Sequence, residues 1–276
     1  MFNLGFYHIF ITFTMVFQLS VSIVFALVGL SGPLALIIGG AVYFALPVFM
    51  FIKLSSQRVT DVLEFRRVSG KNLLYILAIS VAVYPPALIL SAITSIFFTN
   101  HVPEVVGGMA ARVNPLIMFA ALGLSPAFFE EILLRGMMGK PLKHLGFKGA
   151  LLNGLYFGLI HLNPHQFFYA FALGVLLYYM LILSGSIWAP MLSHLIINSI
   201  ALTLFLLGPR LAFLDGYMTL GFFMAATVAF VILLKCFIQD NREKLLPNDK
   251  SERIITPSFF AMLGVYFFII FSFSLF

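Results

Sequence analysis

Charged residues are scarce in this chain of 276 residues, at 9% of the total, whereas an average soluble domain has about 25%. Hydrophobic residues account for 62%, and the mean hydropathy is +1.07. A soluble globular domain is excluded, because this composition leaves too few polar residues to cover its surface. We therefore expect a polytopic membrane protein, whose natural surroundings are the lipid bilayer.

Cysteine is nearly absent, since Cys236 is the single one in the chain. One thiol excludes an intrachain disulfide and a site built from several cysteines. The net charge of +6 does not predict a nucleic-acid partner, because the basic residues lie in short loops between apolar runs. The N-terminus lacks a basic region and a small-residue cleavage site, so we expect a retained signal-anchor helix there.

Long apolar runs dominate the rest of the chain. A membrane-spanning helix needs about 20 apolar residues. This criterion predicts spans at 8–30, 33–54, 72–98, 115–138, 148–163, 166–184, 187–207, 215–237 and 255–275. The fifth and sixth are short, so the predicted number is eight or nine. The expected fold is an all-α, polytopic transmembrane helical bundle that forms a single integral membrane domain over 1–276.

Basic residues predict how this bundle is oriented. Three loops carry Lys53, Arg58, Arg66, Arg67 and Lys71, then Lys140, Lys143 and Lys148, then Lys235, Arg242, Lys244, Lys250 and Arg253. With nine spans, these 13 of the 16 basic residues share one side, with Arg112 and Arg210 opposite and Arg135 inside a span. The positive-inside rule then puts that side and the N-terminus in the cytoplasm, and the plasma membrane is the expected location.

A few polar residues lie inside the predicted spans. They are Glu130, Glu131 and Arg135 in the fourth, His161 in the fifth, and His194 and Asn198 in the seventh. An Asp, Lys or Arg at the centre of a span costs about 2.5–3.5 kcal/mol on insertion scales. Ionisable residues that persist despite this cost indicate a functional site.

The spacing of these residues divides them into groups. Glu131 and Arg135 are four residues apart and share a helix face, which predicts a salt bridge. Glu130 lies about 100° around the helix from Glu131, so Arg135 cannot neutralise both carboxylates equally. His194 and Asn198 also share one face. Glu130 is therefore the candidate general base, and the other two are candidate hydrogen-bond donors.

The dipeptide Ser125-Pro126 precedes Glu130 by one helical turn. Proline at this position indicates either a kink or a new helix start with Ser125 as the N-cap. Either alternative would loosen the helix packing and admit water beside Glu130.

Three motifs follow one another in this region: Glu130-Glu131-x-x-x-Arg135, Phe157-x-x-x-His161 and His194-x-x-x-Asn198. This order resembles the CPBP family of CAAX proteases and bacteriocin-processing enzymes. These are intramembrane glutamic endopeptidases related to the type II CAAX prenyl endopeptidase. The resemblance covers roughly 115–205, the expected catalytic core with a CAAX-protease-like fold. The spacing of 33 residues from His161 to His194 is similar to the bacterial branch.

The resemblance implies a role for each residue. Glu130 would be the general base that activates a water shared with His161, and His194 and Asn198 would form the oxyanion hole. Glu131 and Arg135 would support the site structurally. The implied substrate is a membrane-associated peptide or protein, prenylated or not, and no cofactor is expected. With the predicted topology, the site would open toward the cytoplasm.

Other functions remain open at this stage. A zinc protease is the nearest alternative, with Glu130, His161 and His194 as the ligands if a metal is bound. His161 and His165 have the spacing of a metal-binding helix face, but Pro164 lies between them and no His-Glu-x-x-His motif is present. We expect His165 to be a solvated loop residue. A non-catalytic scaffold or bacteriocin-immunity protein, and a transporter with a proton relay, are the further alternatives.

Overall fold

The computed structural model of this protein describes residues 3–208, 216–245 and 253–274. Its main elements are nine apolar helices, which we label in chain order. They are α1 Leu4–Leu27, α2 Gly32–Leu54, α3 Gly70–Thr94, α4 Pro115–Met137, α5 Phe147–Ile160, α6 Pro164–Ser184, α7 Trp188–Leu207, α8 Gly216–Asp240 and α9 Pro257–Ser274.

The predicted helical membrane bundle is confirmed. Among the described residues, seven helices are long and apolar enough to cross a membrane, and α5 and α9 are shorter apolar helices. The nine predicted spans correspond to the nine helices in order. The fifth is short, as expected, but the sixth is a full helix of 21 residues. It gains length because the Asn163 side chain caps its start and Pro164 occupies the first turn.

The backbone of α4 is widened at two places on either side of Glu130. Residues 120–124 and 132–137 form π-helical turns, in which the Ser125 N–H bonds to the Ala120 carbonyl and the Met138 N–H to the Leu133 carbonyl. The helix continues through Ser125, whose φ of −59° is helical and whose side chain caps nothing. A new helix start at Ser125 is therefore wrong, and a local widening at Pro126 takes its place.

Two carbonyls of α4 lack a helical donor, and an asparagine from another helix donates to each. Pro126 has no N–H for the carbonyl of Leu122, which instead accepts from Asn198 Nδ2 at 3.1 Å. The Leu134 carbonyl loses the Met138 N–H to Leu133 and accepts from Asn153 Nδ2 at 2.7 Å. These bonds hold α7 and α5 against α4 and satisfy backbone groups that water cannot reach.

The basic loops meet at one end of the bundle, which we call the basic end. Lys143 Nζ lies 2.6 Å from Glu64 Oε2, and Lys140 Nζ donates to the Asp61 carbonyl at 3.0 Å. Lys71 pairs with Asp240 at 2.8 Å at the same end. Lys250 and Arg210 lie outside the described residues.

The segment 99–114 lies at the other end, which we call the opposite end. It contains the short helix Val102–Ala110. A Cβ atom on Gly107 of this helix would lie 3.7 Å from the ring of Phe205, near the end of α7. Because α7 begins at the basic end and Phe205 is close to its last residue, this contact fixes which end the segment occupies.

Helices α5 and α6 pack closely through glycines. A Cβ atom on Gly174 would lie 2.8 Å from the Cα of Gly154, and one on Gly158 would lie 2.9 Å from the ring of Phe167. Small residues commonly permit such close approach between membrane helices. The contact brings Phe157 of α5 and the Gly174 carbonyl of α6 beside Arg135 of α4.

Candidate active site

A cavity of about 320 Å³ lies among α4, α5, α6, α7 and the segment 99–114. Four residues predicted from the motifs line it together: Glu130, His161, His194 and Asn198. They come from three helices that are distant in sequence. The structure thus brings the whole predicted set to one concave site inside the bundle.

Glu130 lies apart from the neighbouring ion pair. Its Oε2 atom is buried and has no hydrogen-bond partner among the described residues. Glu131 and Arg135 pair with each other instead, on a different face of the helix. The separation of the two carboxylates expected from helix geometry is therefore found, and Glu130 is the carboxylate that faces the cavity.

The predicted salt bridge between Glu131 and Arg135 is formed at 2.8 Å, and both side chains are fully buried. Glu131 makes a second contact that the spacing does not reveal. Its Oε1 atom also accepts from His194 Nδ1 at 2.8 Å. Glu131 therefore holds a site residue of α7 directly, in addition to neutralising Arg135.

Arg135 is held on three sides. Its NH1 group bonds to Glu131, and its NH2 group donates to the Gly174 carbonyl at 2.9 Å. Its guanidinium carbon lies 4.7 Å from the centre of the Phe157 ring, a favourable cation–π distance. Its Nε has no partner in the part of the chain that the structure describes.

Phe157 connects the polar groups of the site, and sequence reasoning assigned it no role. Its ring meets His161 edge-on at 4.8 Å and His194 edge-on at 5.6 Å, while Arg135 lies over it. The spacing Phe157-x-x-x-His161 was the available signal, because residues four apart stack on one helix face. Phe157 thus fixes the positions of two histidines.

The tautomer of His161 follows from its hydrogen bond. Its Nδ1 lies 2.7 Å from the Phe157 carbonyl, which can only accept, so Nδ1 carries a proton. In the neutral ring, Nε2 is then an acceptor. Leu162 follows with a φ of +49°, a left-handed conformation that turns the chain toward α6 at some cost in strain.

His194 is constrained in the same way, with a different consequence. Its Nδ1 donates to the Glu131 carboxylate, so a neutral ring would leave Nε2 as an acceptor. Donation from Nε2 to an oxyanion therefore requires the doubly protonated imidazolium.

Asn198 has one donor hydrogen engaged and one remaining. Its Nδ2 donates to the Leu122 carbonyl at 3.1 Å, and an amide nitrogen carries two hydrogens. Asn198 also lines the cavity, one helical turn beyond His194. The contact with Leu122 orients the amide, and the second hydrogen is available to a bound group.

His165 does not lie in a solvated loop, so that prediction is wrong. His165 lies in the first turn of α6 and is 1% exposed. Its Nε2 lies 2.9 Å from the Oγ atom of Ser95. Within the described ranges, no group of three or more His, Cys, Asp or Glu residues is arranged to hold a metal ion. The alternative ligand set of Glu130, His161 and His194 is thus not gathered as a metal site.

The cavity reaches the opposite end of the bundle. Its lining includes Asn100, Pro103 and Val106 of the segment 99–114 and Phe205 near the end of α7. No lining residue belongs to a basic loop. The opening of the site toward the basic side stays a prediction, because the depth and the mouth of a cavity depend on how the helices pack and not on loop charges.

The part of the chain that forms the cavity is similar to a known protein family. Residues 112–200 match the family model described as type II CAAX prenyl endopeptidase Rce1-like. The match includes all three motifs, the helices α4 to α6 and the first part of α7, and it covers less than half of the chain. No curated protein and no solved structure matches the chain significantly.

Proposed function

We propose that this protein is an intramembrane endopeptidase that hydrolyses a peptide bond of a membrane-associated protein or peptide. The carrying observation is that Glu130, His161, His194 and Asn198 line one cavity within the membrane-spanning helices. The match of residues 112–200 to an endopeptidase family supports this activity. We assign the protein to the glutamic CPBP type, bacterial branch, with 115–205 as the catalytic core.

Glu130 and His161 activate the water in this proposal. Glu130 takes a proton from the water while the oxygen of the water attacks the carbonyl carbon of the substrate. The Nε2 atom of the neutral His161 accepts a hydrogen bond from the other O–H of the water, because Nδ1 already donates to the Phe157 carbonyl. Glu130 then returns the proton to the amine that leaves when the C–N bond breaks, which yields a carboxylic acid and an amine. General base catalysis of this kind typically contributes about 10²–10⁴ in rate.

His194 and Asn198 stabilise the negative oxygen of the tetrahedral intermediate. Asn198 donates its second Nδ2 hydrogen, while Leu122 holds the first. His194 donates from Nε2, which requires the imidazolium because its Nδ1 already donates to Glu131. Donors preorganised in a water-poor site need no rearrangement when the charge develops, which is why they are effective.

The charges of the cluster balance in this state. Glu130 and Glu131 are negative, Arg135 and His194 are positive, and the sum is zero. Transferring the proton of His194 to Glu130 also leaves the cluster neutral. An electroneutral group of this kind avoids most of the cost of charge in the membrane interior.

The test compares the termini of membrane proteins and peptides, by mass spectrometry, in cells with the wild type or Glu130→Gln. We expect termini that appear with the wild type and disappear with Glu130→Gln, because the amide cannot take the proton. His161→Ala and His194→Ala should remove the same termini. Glu104→Gln, which changes an exposed carboxylate outside the cavity, is the matched control and should retain them.

Identical termini with the wild type and Glu130→Gln, at equal amounts of protein in the membrane, would contradict the proposal. That result would favour the non-catalytic scaffold or immunity protein, which needs no general base.

A further inference from the structure

We infer that the substrate reaches this site from the extracytoplasmic face of the membrane, as an uncharged and mostly apolar peptide segment. The identification of the ligand as a substrate rests on the proposed function. The direction of access rests on the structure of the bundle and on the positive-inside rule.

Ion pairs and hydrogen bonds join the loops at the basic end. Contacts among Asp61, Glu64, Lys140 and Lys143 bring two of the basic loops together, and Lys71 with Asp240 adds the third. These loops are short and directly follow the membrane helices, which is where the positive-inside rule applies. The basic end is therefore cytoplasmic, and the segment 99–114 is extracytoplasmic.

The mouth of the cavity lies at the opposite end of the bundle. Pro103 and Phe205 are exposed and line the cavity at the opposite end. His161 follows the last residue of α5, a helix that starts at the basic end and runs away from it. The cavity consequently opens beneath the segment 99–114, while Glu130 and His194 lie deeper, nearer the basic end.

The lining of the cavity is mostly apolar. Among the described residues that line the cavity, Glu130 is the single acidic one, and none is a lysine or an arginine. The amides of Asn100 and Gln166 are the polar groups near the mouth, while Leu173, Ile197 and similar side chains form the walls. Amide groups pair with a peptide backbone, and apolar walls accept uncharged side chains. This lining suits an extended apolar segment of a translocated polypeptide.

Cysteine labelling tests the direction of access without any need for proteolysis. Cys236 is the single cysteine of the chain and lies in α8 away from the cavity, so Cys236→Ala provides the parent. Single cysteines are then added as Glu104→Cys at the mouth, Ala201→Cys in the cavity and Lys140→Cys at the basic end. Intact cells are treated with a charged, membrane-impermeant maleimide, before and after permeabilisation.

We expect Glu104→Cys and Ala201→Cys to react in intact cells, and Lys140→Cys to react only after permeabilisation. Thr203→Cys, on the opposite face of α7 and outside the cavity, should react at least tenfold more slowly than Ala201→Cys. Reaction of Lys140→Cys in intact cells would overturn the inference. So would an unreactive Ala201→Cys, or one that reacts no faster than Thr203→Cys.

The termini found with the wild type supply an independent readout of the substrate. Those that depend on Glu130 should lie in extracytoplasmic segments of low charge, and a cytoplasmic position would overturn the inference. If no termini depend on Glu130, the proposed function fails, while the labelling still decides on which face the cavity opens.

Discussion

At the scale of single residues, Glu131 has more than the structural role that its pairing with Arg135 predicted. One carboxylate oxygen accepts from both Arg135 and His194, so it links a charge in α4 to a proposed oxyanion donor in α7. The contact also fixes the Nδ1 atom of His194 as a hydrogen-bond donor. Glu131 is therefore a positioning residue for His194 in the proposed mechanism.

Glu131→Gln should destabilise the protein and also abolish the Glu130-dependent cleavage. The glutamine still accepts from His194, but it leaves the buried Arg135 charge unpaired, at a cost of about 3–5 kcal/mol. The measurements are the melting temperature in detergent and the amount of cleavage product. Adding Arg135→Gln removes the unpaired charge, so the double variant should regain stability while remaining inactive. Recovery of activity in the double variant would contradict the positioning role.

Asn198→Ala should lower cleavage by about 10²–10³, which is typical for the loss of one oxyanion donor. It also leaves the Leu122 carbonyl without its side-chain donor, which costs about 1–3 kcal/mol of stability. Adding Pro126→Ala supplies a backbone N–H for that carbonyl. The double variant should therefore regain stability and stay slow; a parallel recovery of both would show that Asn198 acts only through the fold.

At the scale of helices, the site depends on two irregularities and one close contact. Pro126 and the π-helical turn at 132–137 leave the carbonyls of Leu122 and Leu134 without a helical donor, and asparagines from α7 and α5 donate to them. Such turns are frequent at functional sites, because they re-aim side chains within a helix. The glycine contact between α5 and α6 then places Phe157 and the Gly174 carbonyl against Arg135.

Gly174→Ala should force α5 and α6 apart, because the added Cβ would lie 2.8 Å from the Cα of Gly154. Overpacking of this kind costs about 1–3 kcal/mol, and here it also moves the two groups that hold Arg135. We expect a lower melting temperature in detergent and reduced cleavage. Gly221→Ala in α8 is the matched control, since a Cβ there has nothing within 4 Å. Equal melting temperatures for the two variants would refute the role of the close contact.

At the scale of the whole molecule, the basic residues and the cavity lie at different ends. The ion pairs of Glu64, Lys143, Lys71 and Asp240 gather at the basic end, whereas Asn100, Pro103 and Phe205 border the cavity at the opposite end. A charged end that stays on one side of the membrane therefore orients the cavity toward the other. The labelling of Lys140→Cys and Glu104→Cys tests this arrangement directly.

The sequence by itself determined the all-helical membrane bundle, its order of nine apolar helices and the motif residues of the site. These features depend on hydropathy and on spacing along one helix, both of which are local. Pro126 also predicts that the Leu122 carbonyl lacks a helical donor, because proline has no N–H. The sequence does not reveal that Asn198 donates to this carbonyl, since Asn198 lies on another helix, α7.

Only the tertiary structure decided the contact of Glu131 with His194, the central place of Phe157, the burial of His165 and the end at which the cavity opens. Each of these depends on the rotation and depth of one helix relative to another. A one-residue change in register moves a side chain by about 100° around its helix, and spacing along a single helix does not constrain that register.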